Sequence, residues 1–410
     1  MKTTSQKQRI LLVDALRGFA LLGIVLAHIG GWFIAGAMPS EVWQKYQGDV
    51  ASTIVNYIDG IFISGKFFTY FSFFFGVSFA IQLLQRKEDD TRFLPRFAWR
   101  LVILFIIGFI HHIHWKGDIL GIYAFLGFFL LLFYKASDKV LLIAILIFAL
   151  NIPNLVHEII AFNKVSEKPK TEKEQKAEFE KNEKENAKSY FTLKKGTYTE
   201  IVVQNFKDFK FKVEFQWYSG RIFVTFGFFL LGLFVGKRKY FEDIETHKVL
   251  IKKIMWWSLG INVFIIAFFL TVELAQLWDK LPKWFGMVGS FLFSVHSLLM
   301  TLFYIAGMAL LLHKKSMEKI MLYLAGIGKM ALSNYLLQSA IGVTLFYGIG
   351  FGLAGDISPA WCYLIGLGIF TFQLFLSKWW LDKFYYGPME WLWRSATYLK
   401  WQPFLKKSSL

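Results

Sequence analysis

Three polar residues interrupt an otherwise apolar stretch near the start of the chain, VDALRGFALLGIVLAH (13–28), and their spacing is helical. Arg17 and His28 are eleven residues apart. At about 100° and 1.5 Å per residue, that returns to within about 20° of one face, about 16 Å further along the axis. Asp14 and His28 also lie close to one face, so an acid and a guanidinium at one end of the helix face the same way as an imidazole deep along it. Ionisable side chains inside an apolar span are costly and default to function. Arg17, oriented by Asp14, suits an anion, and His28 suits a general base or a nucleophile. The plainer alternative is an i,i+3 ion pair with His28 as a hydrogen-bonded packing residue.

A second constellation lies in GFIHHIHWKGDILGIYA (108–124). His111 and His114 share a helix face at i,i+3, and Asp118 follows a tight turn at Gly117. A histidine with a carboxylate partner is competent as general base or proton carrier, which makes His111, with Asp118 to orient it, a rival to His28. Two histidines and an aspartate are also acceptable zinc ligands, but no further ligand set is evident and no metal is expected. Arg96 and Arg100 in RFAWR follow Arg86, Lys87 and Arg92. Guanidinium groups there suit a phosphate-bearing ligand, or they serve only to set topology. Glycine-rich GIGFGLAG (348–355) follows no strand and reads as helix packing or span termination. No phosphate loop or serine nucleophile elbow occurs.

These residues must be held by membrane helices. The chain is 55% hydrophobic and 18% charged, with mean hydropathy +0.44. That excludes an ordinary soluble enzyme, and continuous rather than alternating apolar runs exclude a transmembrane barrel. The expected class is all-α, a polytopic helical bundle of about ten spans. They fall roughly at 10–34, 57–84, 97–114, 118–134, 140–161, 218–236, 254–277, 285–312, 319–349 and 359–381. The first span is expected to be retained rather than cleaved as a signal peptide, despite the small-residue box Ala35-Gly36-Ala37, because it is long and carries Asp14 and Arg17. The single Cys362 cannot form an intrachain disulfide.

The net charge of +17 resolves into topology. With both termini cytoplasmic, 25 of the 46 Lys and Arg fall on the cytoplasmic side, and the short outer connections hold only Lys45, Lys116, Lys280 and Lys283. This asymmetry is the positive-inside pattern, so nucleic acid is not needed to explain the charge. The expected organisation is an N-terminal five-helix half (1–161), a Lys/Glu-rich extracytoplasmic insert (162–217), a C-terminal five-helix half (218–384) and an aromatic, basic cytoplasmic tail (385–410). The insert reads as a solvated helix or disordered loop whose 196–215 stretch lies along the interface. Four cations, Arg17, Lys66, Arg221 and Lys329, remain in or beside spans. With His114 they outline a pathway.

Six blocks together carry a resemblance. They are VDALRGFALLGI (13–24), GKFFTYFSFFFGVSFA (65–80), GFIHHIHWKGDILGIYA, GTYTEIVVQNF (196–206), GKMALSNYLLQS (328–339) and YYGPMEWLWRSATY (385–398). In this order the chain resembles the YeiB-like family of bacterial integral membrane proteins, which has been loosely associated with transport. It is also similar to the transmembrane acyltransferase superfamily, which includes polysaccharide O-acetylases and heparan-alpha-glucosaminide N-acetyltransferase. In the O-acetylases an Arg or Lys, ten residues, then His on the first span is the hallmark, and Arg17 and His28 match it. The resemblance implies a bacterial inner-membrane protein that moves an acyl group from cytosolic acyl-CoA to an extracytoplasmic hydroxyl or amine of a glycan or small molecule. Arg17, Arg96 and Arg100 would then hold the CoA phosphates, and His28 or His111 would act on the acceptor. A permease for a small anionic solute and a non-catalytic scaffold are the alternatives. The bilayer is the expected surrounding, and a homodimer is left open.

Overall fold

The computed structural model describes residues 4–36, 38–86, 90–167, 171–282 and 284–406. Ala37 of the small-residue box and Lys2, Lys87, Lys283 and Lys407 of the charge count lie outside them. The chain is helical: α1 (Thr4–Ile29), α2 (Ser40–Gln44), α3 (Val50–Ile58), α4 (Phe67–Leu84), α5 (Phe93–His114), α6 (Leu120–Leu132), α7 (Asp138–Ala149), α8 (Ile152–Glu167), α9 (Glu172–Lys195), α10 (Tyr198–Tyr218), α11 (Arg221–Lys237), α12 (Ile244–Leu274), α13 (Phe285–Leu312), α14 (Glu318–Lys329), α15 (Ala331–Phe346), α16 (Pro359–Lys383) and α17 (Pro388–Tyr398). Among the described residues there is no strand, only an isolated bridge between Phe384 and Leu405.

Six helical segments are long and apolar enough to cross a membrane, and three further pairs of helices qualify if each bent pair is one crossing. The segment expected at 118–134 forms only the 13-residue α6. At 1.5 Å per residue that is about 20 Å, short of a hydrocarbon core of about 30 Å. The stretch expected as a span at 319–349 is bent, because α14 and α15 meet at 77°. The cause is a cap supplied from far along the chain. Glu390 of α17 accepts the N–H groups of Leu332 (2.7 Å) and Ser333 (3.1 Å), which starts a new helix there. Asn334 donates to the carbonyl of Ile327 (3.3 Å) at the end of α14. Orphan backbone groups on both sides of the break thereby gain partners. Burial pushes the Glu390 carboxyl above the usual glutamate range, with the hydrogen bonds from Ser333 opposing that shift. Glu390→Ala is expected to lower stability by about 1–3 kcal/mol through the unpaired N–H groups, while Glu390→Gln, which keeps an acceptor, loses less. Melting temperatures of the two purified variants check this, and equal values would contradict the capping role.

Helix packing rests on glycines where backbones touch. A Cβ on Gly18 would sit 2.0 Å from the Leu324 carbonyl oxygen, and one on Gly328 would sit 1.8 Å from that of Asp14. Helices α1 and α14 are therefore in direct backbone contact beside Arg17 and Lys329. A buried polar network then ties α15 to its neighbours. Gln338 donates to the carbonyl of Leu21 (3.2 Å) and to Gln373 (2.8 Å), and Asn334 donates to Ser377 (2.9 Å).

The described part of the insert is largely helical. Capping boxes at Thr171 with Glu174 and at Thr197 with Glu200 start α9 and α10. Helix α10 packs on α5 and buries Ile201, Asn205 and Asp208. The tail is likewise docked. Trp393 donates to the carbonyl of Arg100 (2.9 Å) and Trp99 to that of Ala396 (3.1 Å), which fixes α17 against the start of α5.

Candidate functional site

The described helices line an elongated cavity of about 1240 Å³. At one end it is lined by Arg17, Arg100, Lys329 and Arg394, and at the other by His28, Lys116, Asp118, Lys212 and Arg221. Between them the wall is mainly apolar and aromatic, with Phe68, Phe71, Phe75, Leu104 and Tyr123. Arg17 and His28 do share one face, as their spacing predicts, and the cavity runs along it.

The first end is cationic beyond its internal compensation. Arg17 pairs with Asp14 at 2.9 Å and donates to Ser78. Arg100 lies 3.8 Å from the centroid of the Trp393 ring, and Arg394 is flanked by Tyr386 (5.3 Å) and Tyr398 (5.2 Å). Neither forms an ion pair among the described residues, and the Nε of Arg394 is buried without a partner. Aromatic faces stabilise such guanidinium groups but do not neutralise them. Glu390, already engaged in capping α15, is the acid lining this end.

At the other end His28 sits among rings, with Trp115 at 4.7 Å, Phe33 at 5.7 Å and Tyr335 at 6.5 Å between centroids. Its Nδ1 is buried without a hydrogen-bond partner. The loop after α1 is held in an unusual shape beside it. Trp32 (φ 50°) and Phe33 (φ 55°) are both left-handed, a conformation non-glycine residues seldom adopt. Trp32 donates to the carbonyl of Ile357 (2.8 Å), and the Phe33 carbonyl accepts from Trp115 (2.8 Å) and Tyr347 (3.3 Å). The surrounding fold thus over-determines the strained turn next to His28.

His111 is placed differently. Its Nδ1 meets Asp118 at 2.9 Å, and Asp118 also accepts the N–H groups of Leu120 (3.1 Å) and Gly121 (3.0 Å) at the start of α6. The His111 ring packs on Trp115 and Tyr335, outside the cavity lining, and its Nε2 is sealed from solvent without a partner. His114 turns outward to the carbonyl of Ile110 (2.8 Å) and the hydroxyl of Tyr198 (2.9 Å). Arg96 pairs with Asp90 and covers Tyr398 at 5.7 Å, so it stands apart from the lining that holds Arg17 and Arg100. Lys66 is fully buried outside that lining, donating to the carbonyl of Gly60 (2.6 Å). Among the described residues no three His, Cys, Asp or Glu side chains come together as a metal-binding group.

Residues that the sequence did not single out complete the site. Arg394 and Glu390 were visible only as part of a basic, aromatic tail, and Trp115 and Tyr335 only as motif members. Lys116 pairs with Asp208 (2.9 Å) and donates to Ser189 (3.1 Å), linking the α5–α6 turn to α9 and α10.

The family model described as "Protein of unknown function (DUF418)" matches residues 235–400. The chain is 29% identical to "Uncharacterized protein YxaH" of Bacillus subtilis (strain 168), an alignment covering 100% of this chain and 99% of that one. It is 24% identical to "Uncharacterized protein YeiB" of Escherichia coli (strain K12), covering 98% and 100%. These matches support a YeiB-like family for the chain. A third bacterial relative, from Bacillus acidopullulyticus, is described as "Uncharacterized 39.9 kDa protein in amylase 3'region" and is 26% identical over 98% of this chain and 97% of its own. No solved structure matches the chain significantly. This YeiB-like chain is a multi-pass helical membrane protein with bacterial relatives that match it over nearly their whole length.

Proposed function

We propose that the protein is an acyltransferase of the bacterial inner membrane, taking an acyl group from cytosolic acyl-CoA to a hydroxyl or amine acceptor on the far side. One observation supports this above the others: a single cavity joins an under-compensated cluster of guanidinium groups to a histidine about 16 Å away on the same helix. The positive-inside charge pattern supports a cytoplasmic Arg17 end, where a CoA phosphate finds Arg17, Arg100 and Arg394. The apolar middle of the cavity suits the pantetheine arm and the thioester. His28 takes the proton of the acceptor O–H or N–H as the oxygen or nitrogen bonds the acyl carbon. The carbon–sulfur bond then breaks, and the departing thiolate recovers the proton from His28. Trp115, Phe33 and Tyr335 exclude water from the imidazole and hold its plane.

Purified protein is expected to melt at a higher temperature with acetyl-CoA present, and Arg100→Gln is expected to abolish most of that shift. An unchanged melting temperature for the wild type, or a full shift in Arg100→Gln, would overturn the assignment. Uptake of a solute into proteoliposomes without a covalent product would favour the permease reading instead.

A further inference from the structure

In the half of the cavity around His28, one cation that is not solvent-exposed has no counterpart among the described residues. Arg221 opens α11 and lines the cavity, and its side chain makes no hydrogen bond or ion pair among the described residues. Its Nε is sealed from solvent and has no partner. The guanidinium is held by rings instead, 4.3 Å from the Phe68 centroid and 5.6 Å from that of Phe215. Its neighbours are matched: Lys116 by Asp208 at 2.9 Å and Lys212 by Asp118 at 3.5 Å. Lys188, Lys207 and Glu185 line the rim but are exposed to solvent.

The position is electrostatically adverse. The start of a helix is the positive end of its dipole, so a guanidinium in the first turn of α11 adds like charge to like. A charge within a membrane bundle is ordinarily paired, because leaving it unpaired costs more than the pair returns. Stacking on Phe68 and Phe215 fixes the plane of the guanidinium and leaves its hydrogen-bonding edge unused, and that edge matches the two oxygens of a carboxylate or phosphate.

We infer that Arg221 receives an oxyanion of the second substrate, so the acceptor carries a carboxylate or phosphate close to the hydroxyl or amine presented to His28. The acceptor role rests on the acyl-transfer reading; the anion site does not.

The test uses three probes with one carbon skeleton, glycerate, glycerol 3-phosphate and glycerol, at constant ionic strength with full-length protein in detergent. At least one of the two anions is expected to raise the melting temperature while glycerol does not, and the stronger anion identifies carboxylate or phosphate. Arg221→Gln is expected to weaken that anion by about tenfold or more, and Arg100→Gln to leave it unchanged. If Arg221→Gln does not fold, Arg221→Lys serves, keeping the charge but losing the fork, with a smaller loss expected. Equal responses to glycerol and the anions, full affinity in the Arg221 variant, or loss in Arg100→Gln alone would overturn the site. Anion binding through Arg221 with no response to acetyl-CoA would leave the site standing and remove the acyl-transfer reading.

Discussion

His28→Ala is expected to retain acyl-CoA binding and to lose acyl transfer by about a hundredfold to ten-thousandfold, the range for removing a positioned general base. Transfer of a radiolabelled acetyl group from acetyl-CoA to envelope material in inverted membrane vesicles measures the second quantity, and the thermal shift with acetyl-CoA measures the first. The split matters because His28 lies about 16 Å from Arg17 along α1, too far to touch the phosphate end. His111→Ala supplies the contrast. That ring is hydrogen-bonded to Asp118 and sealed behind Trp115 and Tyr335, so its loss is expected to lower stability more than turnover. If His111→Ala abolished transfer in a stable protein while His28→Ala retained it, the roles given to the two histidines would be reversed.

Gly328→Ala is expected to be the most damaging single-methyl change in the bundle. The added Cβ would fall 1.8 Å from the carbonyl oxygen of Asp14, an α1 backbone atom that no rotamer change can move. Relief requires separating α1 from α14, which would also displace Arg17 and Lys329 at the cavity wall. Overpacking a close backbone contact costs about 3 kcal/mol or more, so little folded protein is expected. The control is Gly260→Ala in α12, where a Cβ meets nothing within 4 Å. Gaining alanine's helix propensity without a clash is expected to be neutral or to stabilise by up to about 1 kcal/mol. Fluorescence size-exclusion profiles and melting temperatures of both variants decide the matter, and equal behaviour would show that α1 and α14 do not meet as described.

How far the chain could be read without its fold depends on the range of each interaction. Composition and continuous apolar runs sufficed for a helical membrane protein, because the bilayer leaves helices with such runs few alternatives. The shared face of Asp14, Arg17 and His28 was legible for a similar reason: it follows from the periodicity of one helix, and the structure places Arg17 and His28 along one cavity. The pairing of His111 with Asp118 across seven residues was also visible, since only a tight turn separates them.

What was not legible depends on contacts between distant segments. The 77° break between α14 and α15 needs Glu390, more than fifty residues later in the chain, to cap the new helix. Arg96 and Arg100 are one helical turn apart and look equivalent in sequence, yet Asp90 draws Arg96 away while Trp393 of α17 holds Arg100 at the cavity. Lys66, Lys329 and Arg221 look alike as charges beside spans, but packing buries Lys66 against the Gly60 carbonyl and leaves the other two on the cavity wall. The choice between His28 and His111 as the cavity-facing ring belongs to Trp115, Phe33 and Tyr335, brought together from three helix ends. Local periodicity sets which residues share a face of one helix. Which face meets the cavity is a property of helices packed against one another, and here backbone contacts at glycines, one remote glutamate cap and a set of aromatic rings decided it.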